Sequence, residues 1–169
     1  MLLALCMVLS MVPTLGLTAS AATTYTAKKI TSTDDIVAGG KYIFVESGNA
    51  IISTISTATS NAAESVSNFA TSGLEGTEKY VWTLVKSTTD GQYYLQSTDG
   101  TYLTNASGKT NLSLTGGKTS AWKFSYDTSY WMIQNASNFD RFLGRTSSTT
   151  TVFKAYSVTP ASNLTSYPH

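Results

Sequence analysis

The chain has 169 residues, with 11 Lys and Arg against 10 Asp and Glu, and charged residues make up only 12% of it. Nucleic acid and anionic lipid are excluded as partners, because phosphate binding requires clustered Lys and Arg side chains. The single cysteine, Cys6, excludes an intrachain disulfide and a multi-cysteine zinc site, and the sequence calls for no cofactor and no metal. The surface is instead rich in hydroxyl groups, because Ser and Thr account for 51 residues.

The N-terminal segment is typical of a secretory signal peptide. Residues 1–17 are almost wholly apolar, and the small residues Ala19-Ser20-Ala21 follow them as a cleavage site. The apolar stretch is short for a membrane span and contains a proline and a glycine, so an uncleaved anchor is the less favoured alternative. We predict a signal peptide over residues 1–21, one domain over residues 22–169, and a secreted or cell-surface protein with no membrane association after cleavage.

Downstream of the leader, short alternating apolar runs are separated by turn-forming residues. β-branched and aromatic residues at a period of two indicate strands. Asp90-Gly91 and Asp99-Gly100 provide the positive φ angles that tight hairpins need. Only residues 61–70 permit a helix, and a loop is equally compatible with them. The fold class is therefore predicted to be all-β. The clearest strands are residues 41–45, 81–85, 92–96 and 101–104.

A unit of about 40 residues recurs along the chain. In chain order, a degenerate first copy begins at Tyr42-x-Phe44, a second copy spans residues 81–117 and a third spans residues 121–156. A propeller of three blades falls below the usual minimum, whereas three units closing around a pseudo-threefold axis protect the sheet edges. We therefore predict a pseudo-threefold barrel of about 12 short strands, with another small β-barrel or a β-sandwich as the alternative. The pairs at a spacing of 40 are Trp82 and Trp122, Leu103 and Leu143, and Leu112 and Val152.

This spacing of Trp-containing strands, with aromatic-x-aliphatic and Leu strands between them, resembles the β-trefoil of ricin-B-type lectins. In the family's Gln-x-Trp motif, Trp82 and Trp122 match but neither Gln is present. The family's sugar-contacting Asp is replaced by Thr104 and Gly144. The resemblance implies a β-trefoil-like carbohydrate-binding module of the kind found at the N-terminus of large exported bacterial proteins. It also implies that the domain lacks its last strand, because the chain stops where that strand should begin.

Few residues are suited to catalysis. The only histidine, His169, is the last residue, where no imidazole is held in place for Ser-His-Asp or Cys-His chemistry. Asp90 and Asp99 are explained by the turns that they form. Asp127 and Asp140 have no such explanation. A glycosidase would need two facing carboxylates, however, and nothing in the sequence pairs Asp127 with Asp140. We predict that the protein is not an enzyme and has no catalytic residues.

The sequence Gly116-Gly117-Lys118-Thr119 matches the end of a phosphate-binding P-loop. A P-loop also needs an earlier glycine and a following helix, whereas Leu112 occupies the glycine position and no helix is expected after it. We interpret the four residues as a hairpin turn.

Exposed aromatic, amide and guanidinium side chains form the candidate ligand sites. Shallow sugar sites combine an aromatic platform with side chains that hydrogen-bond hydroxyl groups. Alternation along each strand directs Tyr94, Tyr102 and Phe142 away from the core-facing leucines. The alternative is that these rings only cover the outside of the barrel. The two candidate carbohydrate-binding patches are Tyr94 and Tyr102 with Asn105, and Phe142 and Arg145 with Asn138.

Together these features predict a secreted, non-catalytic accessory module of a larger exported protein. Its predicted partners are a carbohydrate or cell-surface glycan and the further domains of the same polypeptide. Two other functions stay open. One is a structural spacer or protein-interaction domain without a small ligand, and the less favoured one is a carboxylate-dependent glycosidase.

Overall fold

The fold is all-β. Among the residues that the structure describes, the only helical segments are two 3-10 turns, Thr33–Asp35 and Glu78–Tyr80. The same part contains no helix that is long and apolar enough to cross a bilayer. The predicted signal peptide and Arg145 lie outside the described residues. A computed structural model of the chain describes residues 29–46, 49–51, 61–65, 78–128, 130–144 and 152–157.

The strands are short and pair antiparallel throughout. Within the described residues they are β1 (Lys41–Tyr42), β2 (Val45–Glu46), β3 (Asn49–Ile51), β4 (Asn61–Ser65), β5 (Trp82–Lys86), β6 (Gln92–Gln96), β7 (Tyr102–Asn105), β8 (Leu112–Thr115), β9 (Trp122–Asp127), β10 (Tyr130–Asn135), β11 (Arg141–Gly144) and β12 (Val152–Ser157).

One hydrogen-bonded path connects these strands, in the order β1-β5-β6-β9-β10-β11-β12-β4-β3-β2, with β7 on β6 and β8 on β7. The path is open, since no pairing among the described residues joins β1 to β2. Residues 61–65, whose sequence is compatible with a helix or a loop, form β4, which pairs with both β3 and β12. The number of strands in the whole domain stays a prediction.

Strand registers reproduce the sequence repeat. Tyr42 pairs with Trp82 across β1 and β5, and Tyr93 pairs with Trp122 across β6 and β9. Both tryptophans are fully buried. The indole N–H of Trp122 donates to the carbonyl oxygen of Leu103 at 3.2 Å, so burial leaves this polar group satisfied. The equivalent environments confirm that the 40-residue unit is structural.

One predicted repeat pair, Leu112 and Val152, is displaced by one residue in the structure. Leu103 pairs with Leu114, whereas Leu143 pairs with Ala155, so the last strands of the two units are 41 positions apart. Leu112 therefore corresponds to Phe153 and not to Val152. The connection between β11 and β12 is one residue longer, and a shift of one residue moves a side chain to the other face of a sheet.

The core lies on the inward face of these strands, where the leucines of successive hairpins meet. Leu84 pairs with Leu95, and Leu103 pairs with Leu114. The indole N–H of Trp131 donates to the carbonyl oxygen of Ile30 at 3.1 Å, which connects the N-terminal part of the described chain to β10. The fully buried apolar side chains are Trp82, Leu84, Leu95, Leu103, Leu112, Trp122, Ile133, Leu143, Phe153 and Ala155.

The Asp99-Gly100 turn between β6 and β7 is held by its own side chains. Gly100 has a φ of +87°, as the Asp-Gly sequence predicted. The Ser97 hydroxyl donates to the Asp99 carboxylate, and the hydroxyl and backbone N–H of Thr101 donate to it at 2.7 and 3.1 Å. These hydrogen bonds, from Ser97 first and then from Thr101, lower the pKa of Asp99. Asp99 is therefore a turn residue.

Replacing a repeat-equivalent leucine by alanine should test the shared core. We expect Leu103→Ala and Leu143→Ala each to lower the free energy of unfolding by about 2–5 kcal/mol, because each leaves a cavity in a packed interior. Val37→Ala is the control, since Val37 is 52% exposed, and should change it by less than about 0.5 kcal/mol. Urea unfolding measures all three. A leucine variant that behaves like the control would contradict the shared core.

The lowered pKa of Asp99 makes part of the stability depend on pH. The stabilisation is complete above the ordinary carboxyl pKa and is lost as the pH falls through the lower pKa of the folded state. Asp99→Asn should remove this part, about 1 kcal/mol or less because the group is exposed. Urea unfolding at neutral pH and at about pH 3 measures it. An equal acid-induced loss in the variant and the parent protein would show that the turn contributes nothing.

Candidate functional site

A polar cleft of about 400 Å³ opens where the second and third repeat units meet. Among the described residues, ten line it; nine of these carry a hydroxyl or amide side chain, and none of the ten is charged. We call it the asparagine cleft. Its lining residues are Thr104, Asn105, Ala106, Ser107, Ser113, Thr119, Ser120, Asn135, Ser137 and Asn138.

The floor of the asparagine cleft is a pair of buried amides. Asn105 is 5% exposed and Asn135 is 1% exposed, and the Asn135 amide group donates to the Asn105 side-chain oxygen at 3.2 Å. The Asn105 amide group donates to the backbone oxygens of Lys109 and Asn111 at 2.9 and 3.0 Å. The Asn105 side chain is thus occupied by the protein itself. Its predicted place in an exposed patch with the tyrosines is wrong, because it shares the inward face of β7 with Leu103.

Asn135 also shapes one wall of the cleft. Its side-chain oxygen accepts hydrogen bonds from the backbone N–H groups of Ser137 and Asn138 at 2.9 and 3.2 Å. This Asx-type turn carries the Asn138 side chain, which lines the cleft and hydrogen-bonds to no described residue. Phe139 follows at the tip of the turn and is 73% exposed. Asn138 is therefore the predicted site residue whose amide group is available to a ligand.

Phe139 was not among the predicted site residues. A large apolar residue in a turn of polar residues is unusual, because most exposed turn positions are polar. That contrast, within the sequence Ala136-Ser137-Asn138-Phe139-Asp140, was the signal that could have identified it.

A second feature, which we call the tyrosine shelf, lies on the outer face of β6 and β7 and consists of Tyr94, Tyr102 and Lys118. The two tyrosine rings meet edge to face with their centroids 6.3 Å apart. The Lys118 ammonium lies 5.4 Å from the Tyr102 centroid and 5.9 Å from that of Tyr94. The structure thus joins the two predicted tyrosines and adds Lys118, which the sequence predicts only as part of a hairpin turn.

Phe142 occupies the position of Tyr102 in the next repeat unit. Gln96 pairs with Tyr102, and Gln134 pairs with Phe142 in the same way. Phe142 and Asn138 therefore lie on different features, the outer sheet face and the cleft. Whether Arg145 approaches either of them stays a prediction, since it lies outside the described residues.

The two carboxylates considered for a glycosidase lie at opposite ends of β10. Asp127 accepts a hydrogen bond from the Tyr130 hydroxyl at 3.0 Å, which raises the pKa of Tyr130. Asp140 accepts one from Ser157 at 3.0 Å. The six residues of β10 span about 17 Å, more than the separation of roughly 5–10 Å that glycosidases use. In the described part of the chain, no three His, Cys, Asp or Glu side chains gather as metal ligands.

The fold has counterparts among solved structures, although no protein-family model and no curated protein sequence matches the chain. The Rhizoctonia solani agglutinin superposes with a TM-score of 0.57 at 15% identity, over 79% of this chain and 96% of that one. The Polyporus squamosus lectin, solved with an influenza-binding epitope, gives 0.58 at 12% identity, over 79% and 48%. The fold is a β-trefoil. It is the fold of ricin-B-type lectins, as the sequence resemblance implied.

The same β-trefoil also superposes on part of a longer protein. The GlcNAcα1-4Gal-releasing endo-β-galactosidase from Clostridium perfringens gives a TM-score of 0.54 at 13% identity, over 76% of this chain. The chain spans 32% of that enzyme and 48% of the Polyporus lectin. At these identities the likeness establishes the fold.

The buried amide pair can be tested by its effect on stability. Asn135→Ala should lower the free energy of unfolding by about 1–3 kcal/mol, because it leaves the Asn105 oxygen and two backbone N–H groups without their partner. Asn138→Ala, three residues away, should change it by less than about 0.5 kcal/mol. Urea unfolding of both variants measures the difference. Equal losses would show that Asn135 does not hold the cleft.

Proposed function

We propose that the protein is a carbohydrate-binding module and that the asparagine cleft is its sugar site. The observation that supports this most directly is that the described residues lining the cleft carry no charge and almost all have hydroxyl or amide side chains. Amide groups both donate and accept hydrogen bonds, as sugar hydroxyls do. A neutral cleft of this kind favours a neutral saccharide over a phosphorylated ligand, which would need cations.

The cleft also separates structural polar groups from available ones. Asn105 and Asn135 are occupied by hydrogen bonds within the protein, so they position the walls. Asn138 presents its amide group to the cleft, and the exposed ring of Phe139 follows directly. An amide beside an aromatic surface suits a pyranose ring, whose hydroxyls hydrogen-bond while its apolar face packs on the ring.

Other features support the role of a secreted, non-catalytic accessory module. Two of the structural neighbours are a lectin and an agglutinin by name, and the endo-β-galactosidase is about three times as long as the matched region. These likenesses favour a non-catalytic accessory module of a larger protein. The separation of Asp127 and Asp140 argues against a carboxylate pair. The apolar leader with its A-x-A site supports secretion or display at the cell surface.

A glycan array probed with the full chain, followed by calorimetric titration of the best neutral sugar, tests this function. We expect Asn138→Ala and Phe139→Ala each to weaken binding about ten-fold, since each removes a ligand contact worth roughly 1–1.5 kcal/mol. Thr88→Ala, an exposed hydroxyl in the turn between β5 and β6, is the matched control and should bind like the parent protein.

Two results would contradict the proposal. A folded chain that binds no glycan would favour the spacer or protein-interaction alternative. Undiminished sugar binding by both variants would place the site outside the asparagine cleft. Release of reducing ends from a bound polysaccharide would instead identify an enzyme.

A further inference from the structure

A continuous row of polar side chains crosses the outer face of β5, β6, β7 and β8. Thr83 pairs with Gln96, Gln96 with Tyr102, and Tyr102 with Thr115. The neighbouring positions Leu84, Leu95, Leu103 and Leu114 face inward, so these four side chains face outward. We call them the polar row. With strands about 4.8 Å apart, the row is about 14 Å long.

The tyrosine shelf sits directly on this row. Tyr102 belongs to both, and Tyr94 lies beside it on β6, with the rings edge to face. The Gln96 amide group donates to the Tyr102 hydroxyl at 3.1 Å and to the Gly100 carbonyl oxygen at 3.3 Å. These contacts fix the orientation of the Tyr102 ring. Both rings are half-buried, so each still offers an exposed surface to a ligand.

Lys118 provides the charge of the shelf. It comes from the Gly116-Gly117-Lys118-Thr119 sequence, which places its ammonium above both tyrosine rings. None of the carboxylates in the described residues lies within ion-pair distance of it. An ammonium on an aromatic surface without a carboxylate partner favours an anionic group of a ligand.

We propose that the tyrosine shelf and polar row form a second binding site, for an acidic polysaccharide built of uronate residues. A sugar ring packs on Tyr94 and Tyr102, its carboxylate pairs with Lys118, and the hydroxyls of the chain reach Thr83, Gln96 and Thr115. The strand spacing of about 4.8 Å is close to the advance of one sugar in a 1,4-linked chain, so the row accommodates about four sugars. The tyrosine shelf itself carries one cation, Lys118, whereas nucleic acid needs several.

The next repeat unit lacks this combination. Met132 takes the position of Tyr94, and Phe142 takes that of Tyr102. The proposed specificity therefore belongs to the unit of β5–β8 and not to that of β9–β12. The site shares no residue with the asparagine cleft, so either site can be present without the other.

Calorimetric titration of the full chain with oligogalacturonates of increasing length tests the site, with the methyl-esterified oligomers as neutral probes. Affinity should rise with length up to about four sugars, and added salt should weaken binding of the acidic oligomers only. Lys118→Gln should weaken binding of the acidic tetramer about five-fold or more, and Tyr94→Ala about ten-fold. Lys109→Gln, which changes another exposed lysine in the connection between β7 and β8, is the charge-matched control and should bind normally.

Three results would overturn the proposal: no binding of any oligogalacturonate, equal weakening by Lys118→Gln and Lys109→Gln, or equal binding of the acidic and methyl-esterified oligomers. Near-ultraviolet circular dichroism and thermal unfolding establish that Tyr94→Ala is folded. Asn138→Ala serves as the cross-check, since it should leave oligogalacturonate binding unchanged while weakening binding of a neutral sugar. Failure of one site is thereby distinguished from failure of the other.

Discussion

The burial of leucines on one face of β5, β6 and β7 is the constraint on which the other features depend. Leu84, Leu95 and Leu103 are fully buried, and a strand with one buried face cannot shift by one residue without exposing its leucine. The register of the hairpins is therefore fixed by the core. Once it is fixed, Tyr94 and Tyr102 must face outward together. The leucine core thus determines which side chains are available to a ligand.

A second constraint is the polar contact between repeat units. Burying an amide is costly unless its hydrogen bonds are made, and one such bond joins Asn105 and Asn135 across 30 positions of sequence. Asn135 also holds the turn that carries Asn138 and Phe139. The arrangement of the asparagine cleft therefore depends on a pair of residues that a ligand need not touch. In this cleft the side chains of Asn105 and Asn135 contribute to stability, whereas the proposed ligand contacts come from Asn138 and Phe139.

Much of the fold could be predicted from the sequence, because Trp82, Trp122, Leu103 and Leu143 recur at one spacing and all are buried. The site was predicted less well. The bond between Asn105 and Asn135 joins residues far apart in sequence, and a strand pattern does not show which inward amide finds a partner. The other contact that the sequence does not predict, that of Lys118 with the tyrosines, depends on loop geometry. The position of Lys118 over the tyrosines depends on the path of a turn, which residue types alone do not define.

Nuclear magnetic resonance titration of the full chain with its best neutral sugar tests the central claim most directly. Side-chain amide signals report separately on Asn105, Asn135 and Asn138, because each lies in a different hydrogen-bonding environment. The account predicts that saturating sugar moves the Asn138 amide signals and the backbone signal of Phe139 most strongly, with only small changes at Tyr94. Shifts confined to residues outside the asparagine cleft would contradict it.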